Sequence, residues 1–283
     1  MTDRSRSARY AARAAQIALA IAALMFAFRA LRTQWTGSSV QLGQVHPDWL
    51  WIAASGVLFL ATYAVLVEVW REVLRTWGSR LDYLSAVRIW TVSNLGRYVP
   101  GKLWQIGAMG LMAQRAGVSA IAATGSAILN VVVNLVAGFL VVAALGWSLL
   151  SIPGVGGLKT FVVVLVVCAA GLALLPLALP HILRILTRLT GRELSIGPLP
   201  PVAIILSLIG NVIAWLLYGA AFAVFARGMS GSSQGPLTAY IAVYALSYLV
   251  GYLVLFAPAG VGFREAAMVA LLPAAHLASP TQA

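Results

Sequence analysis

The chain has 283 residues, of which 61% are hydrophobic and only 9% are charged, with a formal net charge of +12. An ordinary soluble domain carries about 25% charged residues, so this sequence lacks the polar side chains that a water-facing surface needs. The composition excludes a soluble globular protein and indicates an all-α, polytopic transmembrane helix bundle that forms a single integral membrane domain over residues 1–283. Because no basic stripe lies on a soluble segment, we expect no nucleic-acid partner.

Spanning helices are predicted wherever about 20 mostly apolar residues follow one another. Six segments qualify: residues 12–31, 50–69, 119–147, 158–180, 201–226 and 237–257. The first follows a basic N-terminus, residues 1–13, and is followed by Arg29 and Arg32 without a clear cleavage site, so we interpret it as an uncleaved helix. With the N-terminus inside, eleven arginines lie on the cytoplasmic side and four basic residues outside. This bias predicts a multi-pass plasma-membrane protein with a cytoplasmic N-terminus.

A first broken segment lies between the second and third predicted spans, at residues 83–118. It is moderately apolar and is interrupted by Gly96, Arg97, Pro100, Gly101 and Lys102. Each half has only about 12 residues, which is too short to cross a bilayer. We therefore predict a re-entrant hairpin that enters from the cytoplasm and turns at Pro100–Gly101.

A second broken segment follows the last predicted span, at residues 257–272. A Pro/Gly-rich break from Pro258 to Gly262 precedes Arg264 and Glu265, and a short apolar run follows. Broken backbone at membrane depth is tolerated where it is buried in protein or lines a wet cavity. Two Pro/Gly-interrupted segments in one chain therefore point to a transport site.

The ionisable residues at these breaks are the strongest candidates for function, because charge inside a membrane is costly. If the breaks meet, the cations Arg97, Lys102 and Arg264 and the carboxylate of Glu265 would line one cavity suited to a phosphate-bearing head group. Backbone N–H groups at the helix starts after Gly101 and Gly262 would add donors. Two alternatives remain: Arg97 and Lys102 could reach the interface as anchors, and Arg264 and Glu265 could pair for structure alone.

Two further polar groups have predicted positions. Asn130 and Asn134 lie one turn apart in an apolar helix, where they either face the cavity or bond to a neighbouring helix. At the end of the second span, helical spacing predicts solvated ion pairs among Glu68, Arg71, Glu72 and Arg75.

Catalytic signatures are largely missing from the sequence. It has no H-E-x-x-H motif and no paired-aspartate metal motif, and Ser126 has no obvious base nearby. The single cysteine, Cys168, lies in an apolar run and is read as a small buried hydrophobe. We therefore expect no catalytic residue, no metal and no cofactor, and a protein that is not an enzyme.

Both broken segments resemble signatures of one family. Residues 94–119, NLGRYVPGKLWQIGAMGLMAQRAGVS, are similar to the Pro-Gly motif of the lysylphosphatidylglycerol synthase transmembrane, or flippase-like, family. Residues 247–272, SYLVGYLVLFAPAGVGFREAAMVALL, resemble its second signature, Pro-Gly-Gly-x-Gly-x-Arg-Glu. The Trp70-Arg71 pair also fits, and the resemblance covers roughly residues 60–275 in the right order and spacing.

The resemblance implies translocation of a membrane lipid or a polyprenyl-phosphate-linked substrate, because members move aminoacylated phosphatidylglycerol and others are linked to polyprenyl-phosphate sugars or hopanoid lipids. It does not imply synthesis, since that activity belongs to a soluble aminoacyl-transfer domain. The site residues that the resemblance carries over are, in the first motif, Arg97, Pro100, Gly101, Lys102 and Gln105 and, in the second, Pro258, Gly260, Gly262, Arg264 and Glu265.

The sequence departs from the family pattern at three places. Ala259 replaces the usual glycine, which is a mild change, and Asn130 stands where many members have a membrane-embedded glutamate. The chain also stops where relatives continue into another helix, so a second copy of the chain or an enzyme partner could complete the bundle. The alternative function is a non-catalytic membrane scaffold or partner subunit for a glycosyltransferase or lipid-modifying enzyme.

Overall fold

The computed structural model describes residues 47–98, 103–149, 200–231, 235–254 and 257–277, together with Met25 and scattered residues between 162 and 181. Throughout this part of the chain the regular secondary structure is helical and no strand is present. The all-α prediction is therefore confirmed. The predicted turn at Pro100–Gly101 and most of the predicted spans 12–31 and 158–180 lie outside the described residues.

Seven α-helices follow one another in the described ranges. They are α1 Trp49–Thr76, α2 Tyr83–Asn94, α3 Leu103–Arg115, α4 Ala120–Leu145, α5 Pro201–Ser230, α6 Leu237–Leu253 and α7 Phe263–Ala274. Short 3₁₀ helices follow α2 at Leu95–Tyr98, follow α4 at Gly146–Leu149 and precede α7 at Pro258–Gly260.

Three of these helices, α1, α4 and α5, are long and apolar enough to cross a membrane. They have 28, 26 and 30 residues, which gives lengths of about 39–45 Å at 1.5 Å per residue, against about 30 Å for a hydrocarbon core. Large apolar side chains on their outer faces are exposed, including Leu60 on α1 and Ile205 and Ile209 on α5. Such faces suit contact with lipid chains, so the described part of the chain has the character of a membrane protein.

The last predicted span is shorter than the sequence suggests. Instead of residues 237–257, α6 covers Leu237–Leu253, because the backbone turns extended at Val254. Its 17 residues reach only about 26 Å. The second break therefore begins within the apolar run, several residues before Pro258. The two halves of the first broken segment, α2 and α3, have 12 and 13 residues, as predicted.

The long helices approach closely through glycine. The most extensive helix pair is α1 with α5, where a Cβ on Gly210 would lie 2.2 Å from Val69 Cγ2. Between α5 and α6, a Cβ on Gly219 would lie 2.4 Å from the Cα of Ile241. Small residues at helix contacts are the usual means of tight packing in lipid. This packing brings α1, α5 and α6 together around one interior space.

Buried polar side chains link the helices. Ser55 Oγ on α1 donates to the carbonyl of Ala221 on α5 at 2.8 Å, and Trp70 Nε1 on α1 donates to Ser126 Oγ on α4 at 3.0 Å. Trp70 is only 2% exposed. A hydroxyl or indole left unpaired here would have no water to bond, so these contacts favour one alignment of the helices.

The end of α1 carries the ion pairs that the sequence predicts, Glu68–Arg71 and Glu72–Arg75. Arg71 Nε also donates to the carbonyl of Leu81 at 3.0 Å. The pairs are partly exposed, so each contributes little stability by itself, but Arg71 ties the turn that leads into α2.

Candidate functional site

The first break folds α3 back against the end of α2. Gln105 Nε2 donates to Asn94 Oδ1 at 2.8 Å, which joins the two helices across the gap. A Cβ on Gly96 would lie 2.7 Å from the backbone nitrogen of Gln105, so only glycine allows this approach. Arg97 therefore lies on a short 3₁₀ helix that is held between α2 and α3.

The second break is a sharp turn that requires glycine. Gly260 has a φ of +73°, and a Cβ there would lie 2.4 Å from the carbonyl oxygen of Gly251 on α6. Gly262 has a φ of +86°, and its N–H donates to Glu265 Oε2 at 2.7 Å, which caps α7. These turns place Arg264 beside α6, because a Cβ on Gly251 would lie 2.9 Å from the Cβ of Arg264.

The two breaks meet, since the 3₁₀ helices Leu95–Tyr98 and Pro258–Gly260 pack against each other. Next to this contact is an open cavity that residues of both breaks and of α1, α4, α5 and α6 surround. The described residues that line it are Phe59, Tyr63, Leu66, Trp90, Asn94, Arg97, Gln105, Asn130, Val131, Asn134, Asn211, Trp215, Tyr218, Tyr244, Tyr248, Tyr252 and Arg264.

Four of the predicted site residues lie in the cavity wall: Arg97, Gln105, Asn130 and Arg264. Glu265 does not line the cavity, in contrast to the expectation of a carboxylate there. Its side chain faces Arg264 instead, with Oε1 accepting from Nη2 at 2.8 Å and from Nε at 3.1 Å.

The remaining predicted residues contribute no described side chain to the wall. Gly260 and Gly262 shape the turn, and Pro258 begins its 3₁₀ helix. The three residues Pro100, Gly101 and Lys102 lie outside the described residues.

The two arginines of the cavity have different surroundings. Arg264 is paired with Glu265, whereas Arg97 forms no ion pair with any carboxylate in the described part of the chain. The guanidinium carbon of Arg97 lies 5.4 Å from the centre of the Tyr98 ring, and its Nε is buried without a hydrogen-bond partner. Trp90, another wall residue, also has a buried, unpaired Nε1. Unpaired buried donors are costly, so both favour an acceptor oxygen in the cavity.

A set of tyrosines in the wall was missed from the sequence. Tyr244, Tyr248 and Tyr252 lie four residues apart on one face of α6, and Tyr218 of α5 and Tyr63 of α1 face the same space. The signal in the sequence was the period of four in α6, which places the rings on one side of a helix.

Five side-chain amides also line the cavity, and most are held in networks. Asn134 Nδ2 donates to Asn211 Oδ1 at 2.9 Å, and Asn211 Nδ2 donates to the carbonyl of Ser207 at 2.8 Å. Asn134 therefore fits both interpretations made from the sequence, because it lines the cavity and also bonds to the neighbouring helix α5. Asn130 lines the cavity and makes no side-chain hydrogen bond within the ranges that the structure describes.

Comparison with known proteins agrees with the two motifs. The chain matches the family described as "Lysylphosphatidylglycerol synthase TM region" over residues 14–283. Among curated proteins and among solved structures, no match is found. The family match covers nearly the whole chain and includes both breaks and every helix that surrounds the cavity.

Proposed function

We propose that this chain, which belongs to the lysylphosphatidylglycerol synthase TM region family, translocates a membrane lipid or a lipid-linked head group. The head group carries a phosphate and moves through the cavity between the two broken segments, while the acyl or prenyl chains stay in the bilayer. The protein is not an enzyme in this proposal and needs no cofactor.

One observation supports the proposal most strongly: two guanidinium groups from two separate breaks line one cavity among membrane-length helices. Moving a phosphate into a low-dielectric interior costs several kcal/mol unless it is paired there. Arginine suits this role because its planar fork of donors matches phosphate oxygens and stays charged. The breaks therefore bring together the groups that would offset the desolvation of an anion.

The charges of the described residues fit a singly charged phosphodiester. Glu265 balances Arg264, which leaves Arg97 as the uncompensated positive charge of the wall among the residues described. Its unpaired Nε would gain an acceptor when a phosphate oxygen enters. Without an anion, the Nε of Arg97 has no hydrogen-bond acceptor and its guanidinium group has no counter-charge within the described part of the chain. Binding of an anion supplies both and so lowers the free energy of the protein.

The test is lipid transport in proteoliposomes with tail-labelled phosphatidylglycerol and polyprenyl-phosphate probes. We compare the native protein with Arg97→Ala and Arg264→Ala, and use Arg88→Ala, an exposed arginine on α2, as the matched control. Each cavity variant loses a charged hydrogen bond worth about 1.5–3 kcal/mol, so we expect transport to fall roughly 10- to 100-fold. The larger loss is expected for Arg97→Ala, because Arg264 is already paired with Glu265. The control should remain close to the native rate.

Folding is checked in the same preparations by monodispersity in detergent and by helical circular dichroism. If well-folded native protein moves none of the probes, the translocator proposal fails. The scaffold function would then take its place, and the next experiment would be isolation of a glycosyltransferase or lipid-modifying enzyme bound to the protein.

A further inference from the structure

Much of the cavity wall consists of aromatic rings that carry hydroxyls. The rings of Tyr218 and Tyr244 are stacked, with centres 5.9 Å apart, as are those of Tyr248 and Tyr252 at 6.4 Å. Trp215 meets Tyr248 edge-on at 5.2 Å and an interplanar angle of 79°. These mutual contacts fix the rings, so the wall forms a preformed surface of flat apolar faces with phenol groups at their edges.

Four polar groups of this surface have no partner among the described residues. The hydroxyls of Tyr218, Tyr244 and Tyr248 form no hydrogen bond to other residues that the structure describes, and neither does the amide of Asn130. A phenol and an amide each offer both a donor and an acceptor. Together they offer uncharged hydrogen-bond donors and acceptors next to flat ring faces.

The same wall has no described negative charge. The acidic residues in the described ranges are Asp48, Glu68, Glu72, Asp82 and Glu265, and none of them lines the cavity. Aromatic faces can attract a cation, but an amine in this space would face Arg97 and Arg264 with no free carboxylate among the residues described. The charges therefore oppose an amine-bearing head group, even though the rings alone would accept one.

We infer that the head group is an uncharged polyol, such as a sugar or cyclitol ring, joined to a phosphate, and that it bears no amine. The ring's C–H faces pack against Tyr248 and its neighbours on α6, and its hydroxyls bond to Asn130 and the phenol groups. The phosphate lies at Arg97. This inference rests on the proposed function, since it names the substrate class of the same cavity.

Binding is measured first, because it does not depend on transport. Purified protein in detergent is titrated with inositol 1-phosphate, mannose 1-phosphate, phosphoethanolamine and inorganic phosphate. The change in intrinsic tryptophan fluorescence, to which the wall residues Trp90 and Trp215 contribute, reports occupancy. We expect both polyol phosphates to bind about tenfold more tightly than phosphoethanolamine. The better of the two polyol phosphates indicates whether the natural source is an inositol lipid or a prenyl-linked sugar.

Two variants test the surface itself. Tyr248→Leu removes a ring, and Asn130→Leu removes an amide; each should weaken polyol phosphate binding about tenfold while inorganic phosphate binding changes less than about twofold. The matched control is Phe225→Leu, which removes an exposed ring from the outer face of α5. Tyr248→Phe keeps the ring and should retain more binding than Tyr248→Leu. If Tyr248→Leu does not fold, Tyr248→Phe and Asn130→Leu still test the surface.

A third variant adds the missing charge. Asn130→Glu places a carboxylate in the wall and should shift preference toward phosphoethanolamine. The inference is overturned if phosphoethanolamine binds native protein as tightly as the polyol phosphates, or if Tyr248→Leu weakens all four ligands equally. If the polyol phosphates bind selectively but no labelled lipid crosses the bilayer, the translocator proposal fails and the assignment of the cavity stands.

Discussion

The substitution Gly260→Ala tests whether the second break depends on close contact with α6. The new Cβ would lie 2.4 Å from the carbonyl oxygen of Gly251 and 2.6 Å from its Cα. Since a real Cβ keeps more than about 3 Å from such atoms, the backbone must move, and overpacking of this kind costs about 1–3 kcal/mol. The left-handed φ of +73° adds about 1–2 kcal/mol for any residue other than glycine. We expect a total loss of about 2–5 kcal/mol.

A second glycine separates the two causes. Gly78, after the end of α1, has almost the same φ of +72°, but a Cβ added there would meet no atom within 4 Å. Gly78→Ala therefore carries the conformational cost without the steric one. Unfolding of both variants is followed in mixed micelles by titration with a denaturing detergent. We expect Gly260→Ala to be less stable than Gly78→Ala by about 1–3 kcal/mol.

Equal losses in the two variants would refute the reasoning, because the steric contribution at Gly260 would then be absent. Ligand binding gives a second readout on the same samples. The contact between Gly251 and Gly260 positions Arg264, so Gly260→Ala should also weaken binding of inorganic phosphate, whereas Gly78→Ala should leave it unchanged.

Two smaller predictions concern neighbouring contacts. Ala259 has a φ of +51°, so Ala259→Gly should stabilise the protein by about 0.5–1 kcal/mol. Ala257 is buried and has no positive φ, so Ala257→Gly should destabilise it. Thermal unfolding of both variants in detergent checks the two signs. Trp70→Phe and Ser126→Ala each remove the bond between α1 and α4, and a double-mutant cycle should give a coupling of about 0.6–1.7 kcal/mol, with additive losses contradicting the assigned hydrogen bond.

The long helices could be predicted from the sequence because length and apolarity are sufficient signals. The predicted spans 50–69, 119–147 and 201–226 correspond to α1, α4 and α5, and the break after Asn94 follows from its glycines and proline. The end of α6 was predicted too far along the chain, since residues 254–257 are as apolar as a helix interior. Apolarity reports burial in lipid or protein and carries little information about where a helix stops.

The candidate site was only partly predictable, for a different reason. Arg97 and Arg264 are identifiable because charge within an apolar segment is costly. The tyrosines carry no such signal, since a tyrosine is equally acceptable at an interface, in a core or in a cavity. Their convergence depends on the contacts of α1 with α5 and of α5 with α6, which glycines such as Gly210 and Gly219 permit. No spacing within one helix encodes those contacts.

The buried polar groups of the described bundle differ in whether the protein itself supplies their hydrogen-bond partners. Ser55 and Trp70 each complete a bond between helices, so their polarity is explained by the fold. Among the described residues, Arg97 Nε and Trp90 Nε1 have no hydrogen-bond partner in the cavity wall, whereas Trp77 Nε1 and Ser247 Oγ are unpaired away from it. A missing partner therefore points to a ligand only at the cavity. A sequence can retain such groups when a ligand supplies the missing acceptor. The paired Arg264 completes the fold of the second break, and Arg97 is therefore the arginine whose loss should affect ligand binding most.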